Sequence, residues 1–253
     1  MNIVAVTQAR VSSTRLPNKV LIKIKGQTLL NLHVNRIKKS KRINSIIVAT
    51  TNNNEDDIIK QETDKLNVTC FRGESDDVLD RYYMAVKKNP PDYIVRLTSD
   101  CPLIDAELID SVIKKTIDSR VDYCSNTLIE SFPDGQDIEV FTFQALKKSW
   151  EQSILKSDRE HVTPFIKKNS NFYNKKKFKV VNFHSNNIKY HRVRMTVDEK
   201  EDLMVIKSLV NKLGTENNWK TYSELYLNNY SINKINSHII RNEGYFKSLK
   251  KDI

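Results

Sequence analysis

Five short apolar runs, at residues 2–7, 46–51, 68–71, 93–98 and 121–125, alternate with segments whose apolar residues recur at helical spacing. Leu29, Leu30, Leu32, Val34 and Ile37 mark a helix over 27–39. A second helix starts at the acidic turn Glu55-Asp56-Asp57 and runs to Leu66, a third carries Val78, Leu79, Tyr82 and Val86 and stops at Pro90-Pro91, and a fourth spans 105–118. Strand–helix alternation with links this short predicts an α/β chain whose central sheet is mostly parallel and covered on both faces. In such sheets ligands lie beyond the carboxyl ends of the strands. The loop after the first strand, Thr50-Thr51, Arg72-Gly73 and Ser99-Asp100 should therefore converge on one cleft.

The loop after the first strand is Gln8-Ala9-Arg10-Val11-Ser12-Ser13-Thr14-Arg15-Leu16-Pro17-Asn18-Lys19. Backbone N–H groups leaving a central strand, with cations beside them, make an anion site. Arg10, Arg15 and Lys19 are more charge than one carboxylate needs and suit a triphosphate, although a basic loop is often only a solvated turn. The chain has neither the Gly-x-x-x-x-Gly-Lys-Ser/Thr nor the Gly-x-Gly-x-x-Gly pattern. Asp100 follows the fourth strand, and Asp198 follows an apolar run at 191–197 that reads as another strand. Either aspartate alone would serve as a helix N-cap; two that meet from separate strands can hold Mg²⁺, which takes its remaining ligands from phosphate and water.

The second half is less regular. Ser131-Phe132-Pro133-Asp134-Gly135 is a turn, 138–141 alternates like a strand with Glu139 on the face opposite Ile138 and Val140, and a helix follows over 142–151. A helix start at Ser157, a strand at 178–183, a helix carrying Leu203, Val205, Ile206, Leu209 and Val210, and two helices beyond residue 219 complete the reading. Residues 1–213 are expected to form the main domain, with 214–253 as a helical extension packed on it.

The net charge of +11 invites a nucleic-acid reading, but the Lys clusters at 38–39, 147–148, 175–177 and 250–251 are scattered and lack interleaved aromatics, so no nucleic acid is expected. Cys70, Cys101 and Cys124 are too far apart for a zinc pattern and odd in number, which suits reduced, small apolar side chains. No apolar run approaches membrane-spanning length and no signal peptide precedes the first strand, so the expectation is a cytoplasmic protein without membrane insertion. His33 and His238, in helical stretches, read as structural or surface residues.

Gln8-Ala9-Arg10, Ser13-Thr14-Arg15-Leu16-Pro17, Lys19-Val20-Leu21, Ile24, Gly26 and Leu29-Leu30 together resemble the opening motif of the cytidylyltransferases that make CMP-activated sugars, most closely the branch of the spore coat polysaccharide protein SpsF. Further blocks fall in the same order: Val48-Ala49-Thr50-Thr51, Phe71-Arg72-Gly73 with Asp77-Val78-Leu79 and Arg81-Tyr82, Val95-Arg96-Leu97-Thr98 with Asp100-Cys101-Pro102-Leu103-Ile104-Asp105, Phe132-Pro133-Asp134-Gly135, Arg159–Pro164 and Thr196-Val197-Asp198. The resemblance spans residues 3 to about 210. It implies a three-layer nucleotidyltransferase fold of the GT-A kind and a Mg²⁺-dependent transfer of CMP from CTP to an acidic acceptor, an ulosonic or nonulosonic acid or a phosphonate, for surface polysaccharide or glycan synthesis. It places the nucleotide on Gln8, Ala9, Arg10, Ser13, Arg15, Lys19, Thr50, Arg72, Gly73, Thr98 and Asp100, the metal on Asp100 and Asp198, the acceptor on Glu139, Arg159 and His161, and the catalytic work on Arg10, Lys19, Asp100 and Asp198. Relatives often dimerise, and the helical tail offers an interface.

Two departures stand out. Asn18 and Ser99 replace glycines frequent in such chains; Asn tolerates the left-handed turn. A same-fold alternative is a glycosyltransferase that consumes a nucleotide sugar, but Ser99-Asp100-Cys101-Pro102 lacks its usual Asp-x-Asp.

Overall fold

The computed structural model describes residues 1–13, 15–250 and 252. Its strands are β1 (Ile3–Gln8), β2 (Lys23–Ile24), β3 (Gln27–Thr28), β4 (Ser45–Thr51), β5 (Thr69–Gly73), β6 (Tyr93–Thr98), β7 (Tyr123–Ser125), β8 (Glu139–Thr142) and β9 (Val180–Asn182). Its α-helices are α1 (Leu29–Ile37), α2 (Asp57–Lys65), α3 (Val78–Val86), α4 (Ala106–Ser119), α5 (Phe143–Gln152), α6 (Lys156–His161), α7 (Pro164–Lys168), α8 (Lys200–Leu213), α9 (Trp219–Asn228), α10 (Tyr230–Asn233) and α11 (Glu243–Leu249).

Seven strands make one sheet in the order β5-β4-β1-β6-β8-β7-β9, and β2 and β3 form a separate hairpin. Successive residues of β1 feed opposite faces. Ile3 and Ala5 pack with Leu30, Val34 and Ile37 of α1 and Ile109 and Val112 of α4, whereas Val4 and Val6 meet Val78, Leu79 and Tyr82 of α3 and Leu146 of α5. This alternation produces three layers, helix–sheet–helix. A third cluster joins Leu16, Ile24 and Leu29 to Val193, Met195 and Val197, to Val205, Ile206 and Leu209 of α8, and to Tyr222 and Tyr226 of α9.

From β1 the chain builds outward through β4 and β5, then returns to add β6 on the other side of β1. The strand order reverses there, so loops leaving β1 and β6 diverge and open a crevice at their carboxyl ends. In register, Gln8 lies beside Thr98.

Several sequence expectations are corrected. The parallel run stops at β6: β8 lies antiparallel to both β6 and β7, so residues 121–125 do not continue the parallel series directly. Residues 191–197 are not a strand. Ile188–Arg192 is a 3-10 turn, and Arg194 makes only an isolated bridge to Asp134. The alternation of Val193, Met195 and Val197 is real, but it serves burial in the third cluster rather than pairing along a ladder. Gln27 and Thr28 pair with β2 in the hairpin, so the helix expected over 27–39 begins only at Leu29. The helix expected from Ser157 is two short ones, α6 and α7, and among the described residues the tail holds three helices rather than two.

At the bridge, Gly135 has φ +99°, and a Cβ there would sit 2.6 Å from the Met195 carbonyl carbon and from the Thr196 nitrogen. Both neighbours are backbone and cannot swing aside. Gly135→Ala is expected to cost about 2–3 kcal/mol. Urea unfolding measures this, and a loss below about 0.5 kcal/mol would show that the bridge is free to move.

Candidate active site

The crevice is a cavity of about 690 Å³ at the carboxyl ends of β1 and β6, walled by the β1–α1 loop, the start of α3, α6, Asp198 and the tail at Gly244. Asp56 anchors the loop from below: its buried carboxylate accepts from Val11 N at 2.8 Å and from Thr51 N at 3.3 Å. Asn18 takes φ 56°, the left-handed turn that Asn tolerates, and delivers Lys19 at the start of a 3-10 turn.

Lys19 Nζ stands 3.1 Å from Asp100 Oδ2 and 2.7 Å from Asp198 Oδ1. The two carboxylates are brought together by backbone, since Val197 N–H donates to the Asp100 carbonyl at 2.8 Å. Asp198 is not the N-cap of α8. Glu199 fills that role in a capping box with Asp202, which also accepts from the N–H groups of Asp198 and Glu199 at 3.0 Å. Asp202 is fixed in turn by a bidentate Arg194 at 2.8 and 2.9 Å. With its capping duty discharged by a neighbour, the Asp198 side chain is left to the cleft. Burial opposes ionisation of Asp100, but Lys19 and hydrogen bonds from Thr98 and Cys101 outweigh it and bring its pKa down to about 2. Burial likewise works against the Lys19 ammonium, and the two carboxylates reverse that and raise its pKa.

Arg15 is held by Asp198 at 3.1 Å, Glu199 at 3.3 Å and Glu243 at 3.8 Å. Arg10 is exposed, lines the cavity and has no ion-pair partner among the described residues. Ser99 lies behind the carboxylate pair at the end of a buried chain. His33 Nδ1–H donates to the Cys101 carbonyl at 2.8 Å, so Nε2 accepts from Thr7 Oγ1 at 3.0 Å, and Thr7 accepts from Ser99 Oγ at 3.0 Å. Burial holds His33 neutral, with a pKa of about 4. It is a structural histidine beneath the site and not a surface residue.

Of the residues singled out from the sequence, Gln8, Ala9, Arg10, Ser13, Arg15, Lys19, Thr98, Asp100, Asp198, Arg159 and His161 line this cavity. Arg159 donates from Nε to Asp77 Oδ2 at 2.6 Å. His161 contacts Ser248 Oγ at 3.0 Å and the edge of Tyr245, and burial and the Arg96 charge lower its pKa to about 4, so it offers hydrogen bonds rather than charge. It is followed by Val162 at φ 72°, ψ −53°, with Thr163 N–H donating to the His161 carbonyl at 2.8 Å. This is a γ-turn of the rarer, strained hand. It presents His161 to the cavity while Thr163 turns inward.

Four expected residues are elsewhere. Glu139 does not line the cavity: it is 3% exposed and lies against Arg96 at 2.5 Å, Tyr123 OH and Thr163 Oγ1 at 2.6 Å and Lys167 at 2.8 Å. Thr50 is fully covered. Arg72 is on the edge strand and turns outward to the carbonyls of Thr51 and Asn53 and to the Asp57 carboxylate. Gly73 does not line the cavity; it packs against the stem of Arg81.

The sequence reading missed Asp77, Arg81, Lys156, Glu160 and Gly244, all on the cavity wall. Asp77 and Arg81 were within a recognised block, and their i, i+4 spacing at the start of a helix that follows a strand's carboxyl end was the usable signal.

Residues 4–237 match the family model described as cytidylyltransferase. An uncharacterised protein of Methanocaldococcus jannaschii is 39% identical over 210 residues, covering 83% of each chain. The spore coat polysaccharide biosynthesis protein SpsF of Bacillus subtilis is 33% identical over 218 residues, 84% of this chain and 88% of SpsF. The solved structure of a cytidylyltransferase from Leptospira borgpetersenii superposes with a TM-score of 0.85 at 33% identity, over 92% of this chain and 96% of that one. No helix among the described residues is long and apolar enough to cross a membrane. An α/β sheet with its cavity at the strand-order reversal, matched over more than four-fifths of the chain by these relatives, places the chain in the cytidylyltransferase family, as a nucleotidyltransferase that uses CTP.

Proposed function

We propose that the enzyme transfers CMP from CTP to an acidic small-molecule acceptor in the synthesis of a surface polysaccharide or glycan. An acceptor oxygen attacks the α-phosphorus in line, the bond to the bridging oxygen breaks, pyrophosphate departs with the electron pair, and the acceptor's hydroxyl proton is released. No protein nucleophile is required, so the protein's task is positioning and charge neutralisation.

The observation that carries this reading is one ammonium touching two carboxylates. Lys19 Nζ reaches both Asp100 and Asp198, so both reach one cation. Two carboxylate oxygen donors suit Mg²⁺, a hard cation whose remaining ligands come from phosphate oxygens and water. Asp100 and Asp198 would hold it, and when bound it supplies positive charge to the reacting phosphates. Lys19 lies within reach of both the carboxylates and the phosphates, and Arg10, Arg15, Ser13 and the loop's N–H groups would surround the rest of the triphosphate. Lys156 and Arg159 on α6 offer cations to the acceptor's acid group beside the neutral His161. The similarity to SpsF supports the polysaccharide setting.

The test is to incubate the protein with CTP, MgCl₂ and a panel of acidic sugars and phosphonates. Pyrophosphate release that needs both CTP and one acceptor is the expected result. Release of a nucleoside diphosphate from a nucleotide sugar, with no pyrophosphate from CTP, would overturn it.

A further inference from the structure

All strands of the main sheet except β8 run the same way, so their amino ends share the end of the molecule opposite the cleft. Backbone bonds fix this edge: Asn44 N donates to the Ile3 carbonyl, Asp92 N to the Asn2 carbonyl and Asp122 N to the Lys179 carbonyl, each at 2.9 Å. The segments that lead into those strands are gathered there, although they lie far apart in sequence. Residues 38–42 and 175–179 each hold four cations and no acid, and Lys87-Lys88 and Arg120 join them. All of these cations are exposed. The acids at this end are fewer and locally engaged. Asp92 accepts from Asn2 N at 2.7 Å, Asp110 from Lys41 N at 2.9 Å and Arg42 N at 3.2 Å, and Asp122 from Lys179 N at 2.8 Å. Asp64, Asp118 and Glu216 pair with Lys60, Lys114 and Lys39. The lysine clusters that read as scattered along the chain are thus brought by the topology to one end, and much of the net charge of +11 sits there.

We propose that this end of the sheet docks on the surface of an anionic phospholipid bilayer. The cations spread along an edge of seven strands, six spacings or about 29 Å wide, which is the breadth of a flat contact rather than of a groove. Lys and Arg beside an anionic leaflet are each attracted to it, and exposed aromatic rings settle at headgroup level. Phe172 and Tyr173, 39% and 56% exposed, stand immediately before the second lysine run, in a loop tied to β9 by Asn171 Oδ1, which accepts from Val180 N at 2.6 Å. Between the first run and α4 lies a hollow of about 520 Å³ lined by Lys41, Arg42, Asp110, Ser111 and Lys114, with room for a headgroup phosphate. A nucleic-acid strand would call for aromatics along the cationic track, and here they stand at one edge. A protein interface has a centre depleted in charge, whereas this charge runs across the whole end. Adsorption needs no insertion, and it leaves the cleft facing away from the lipid, open to its substrates.

The test is co-sedimentation of the protein with vesicles of phosphatidylcholine alone, and of phosphatidylcholine with about 30% phosphatidylglycerol, at about 50 and about 300 mM NaCl. The wild type is expected to bind only the anionic vesicles, and only at the lower salt. Removing two cations from the contact should weaken binding by about 30-fold, so Lys41→Gln with Arg42→Gln, and separately Lys175→Gln with Lys176→Gln, should each show that loss. Lys23→Gln with Lys25→Gln removes the same charge from the hairpin at the cleft end and should change binding by less than about threefold. Melting temperatures within a few degrees of the wild type would show that the variants are folded. Equal binding to neutral vesicles, no binding to anionic vesicles at low salt, or an equal loss in the hairpin variant would overturn the assignment. So would tighter binding of a labelled RNA oligonucleotide than of the anionic vesicles, lost in the same variants, which would make this a nucleic-acid face.

Discussion

Asp100→Asn is expected to slow CTP-dependent pyrophosphate release by about a thousandfold or more, with a melting temperature within a few degrees of the wild type. The carboxyl of Asp100 has a pKa of about 2, so at any working pH the substitution removes a full negative charge and keeps the shape. The backbone carbonyl of Asp100, which accepts from Val197 N and sets the approach of Asp198, is untouched. The loss therefore falls on the charges around the α-phosphate: one of two carboxylates that seat a cation, and one of two partners that position Lys19. Lys19 remains bound to Asp198 at 2.7 Å, so the fold keeps an ion pair there. Single-turnover release of labelled pyrophosphate separates the outcomes. A rate within tenfold of the wild type would remove Asp100 from the transfer step, and a large drop in melting temperature would recast it as structural.

How much of this was legible in the sequence depends on the range of the interaction. The strands β1, β4 and β6 were readable because their side chains alternate between two buried faces, as Ile3 and Ala5 against Val4 and Val6 show. Convergence of the β1 loop with Asp100 followed from strand ends alone. The antiparallel insertion of β8 was not readable, because only contacts remote in sequence decide whether a strand joins an open edge. Residues 191–197 show the same limit from the other side. Their alternation reported burial correctly, yet their backbone partners are Asp134 and the Asp100 carbonyl rather than a strand.

Side-chain direction was the least legible property. Arg72 and Arg81 both stand near the end of β5; one turns outward to the carbonyls of Thr51 and Asn53, the other inward beneath Gly73, and nothing in their local spacing separates them. Asp198 and Glu199 are adjacent acids at a helix start, and which of them caps was decided by Asp202 three residues on. Gly244 and Ser248 reach the site from a tail helix far along the chain, so only the assembled fold reveals them.

Glu139→Gln is expected to cost about 3–5 kcal/mol of stability, which for a chain of 253 residues lowers the melting temperature by about 10 °C. Glu139 and Arg96 lie opposite one another on β8 and β6, and Glu139 also holds Tyr123 of β7 and Lys167 of α7. Burial alone would raise its pKa, but Lys167 and Arg96 carry it well below the ordinary 4.5. A depressed carboxyl contributes stability that is complete above its unfolded pKa and drains away as pH falls toward the folded one. The gap between wild type and Glu139→Gln should therefore be full at pH 7 and smaller by about 2 kcal/mol at pH 3. Urea unfolding of both proteins at the two pH values measures it. A gap below about 1 kcal/mol at pH 7, or one that grows in acid, would contradict the ion-pair account. Because Thr163 donates to Glu139 and follows the strained turn at Val162, the same variant should loosen His161 and weaken acceptor binding more than CTP binding. That asymmetry is how a residue outside the cavity, expected from the sequence to touch the acceptor, would still be felt there.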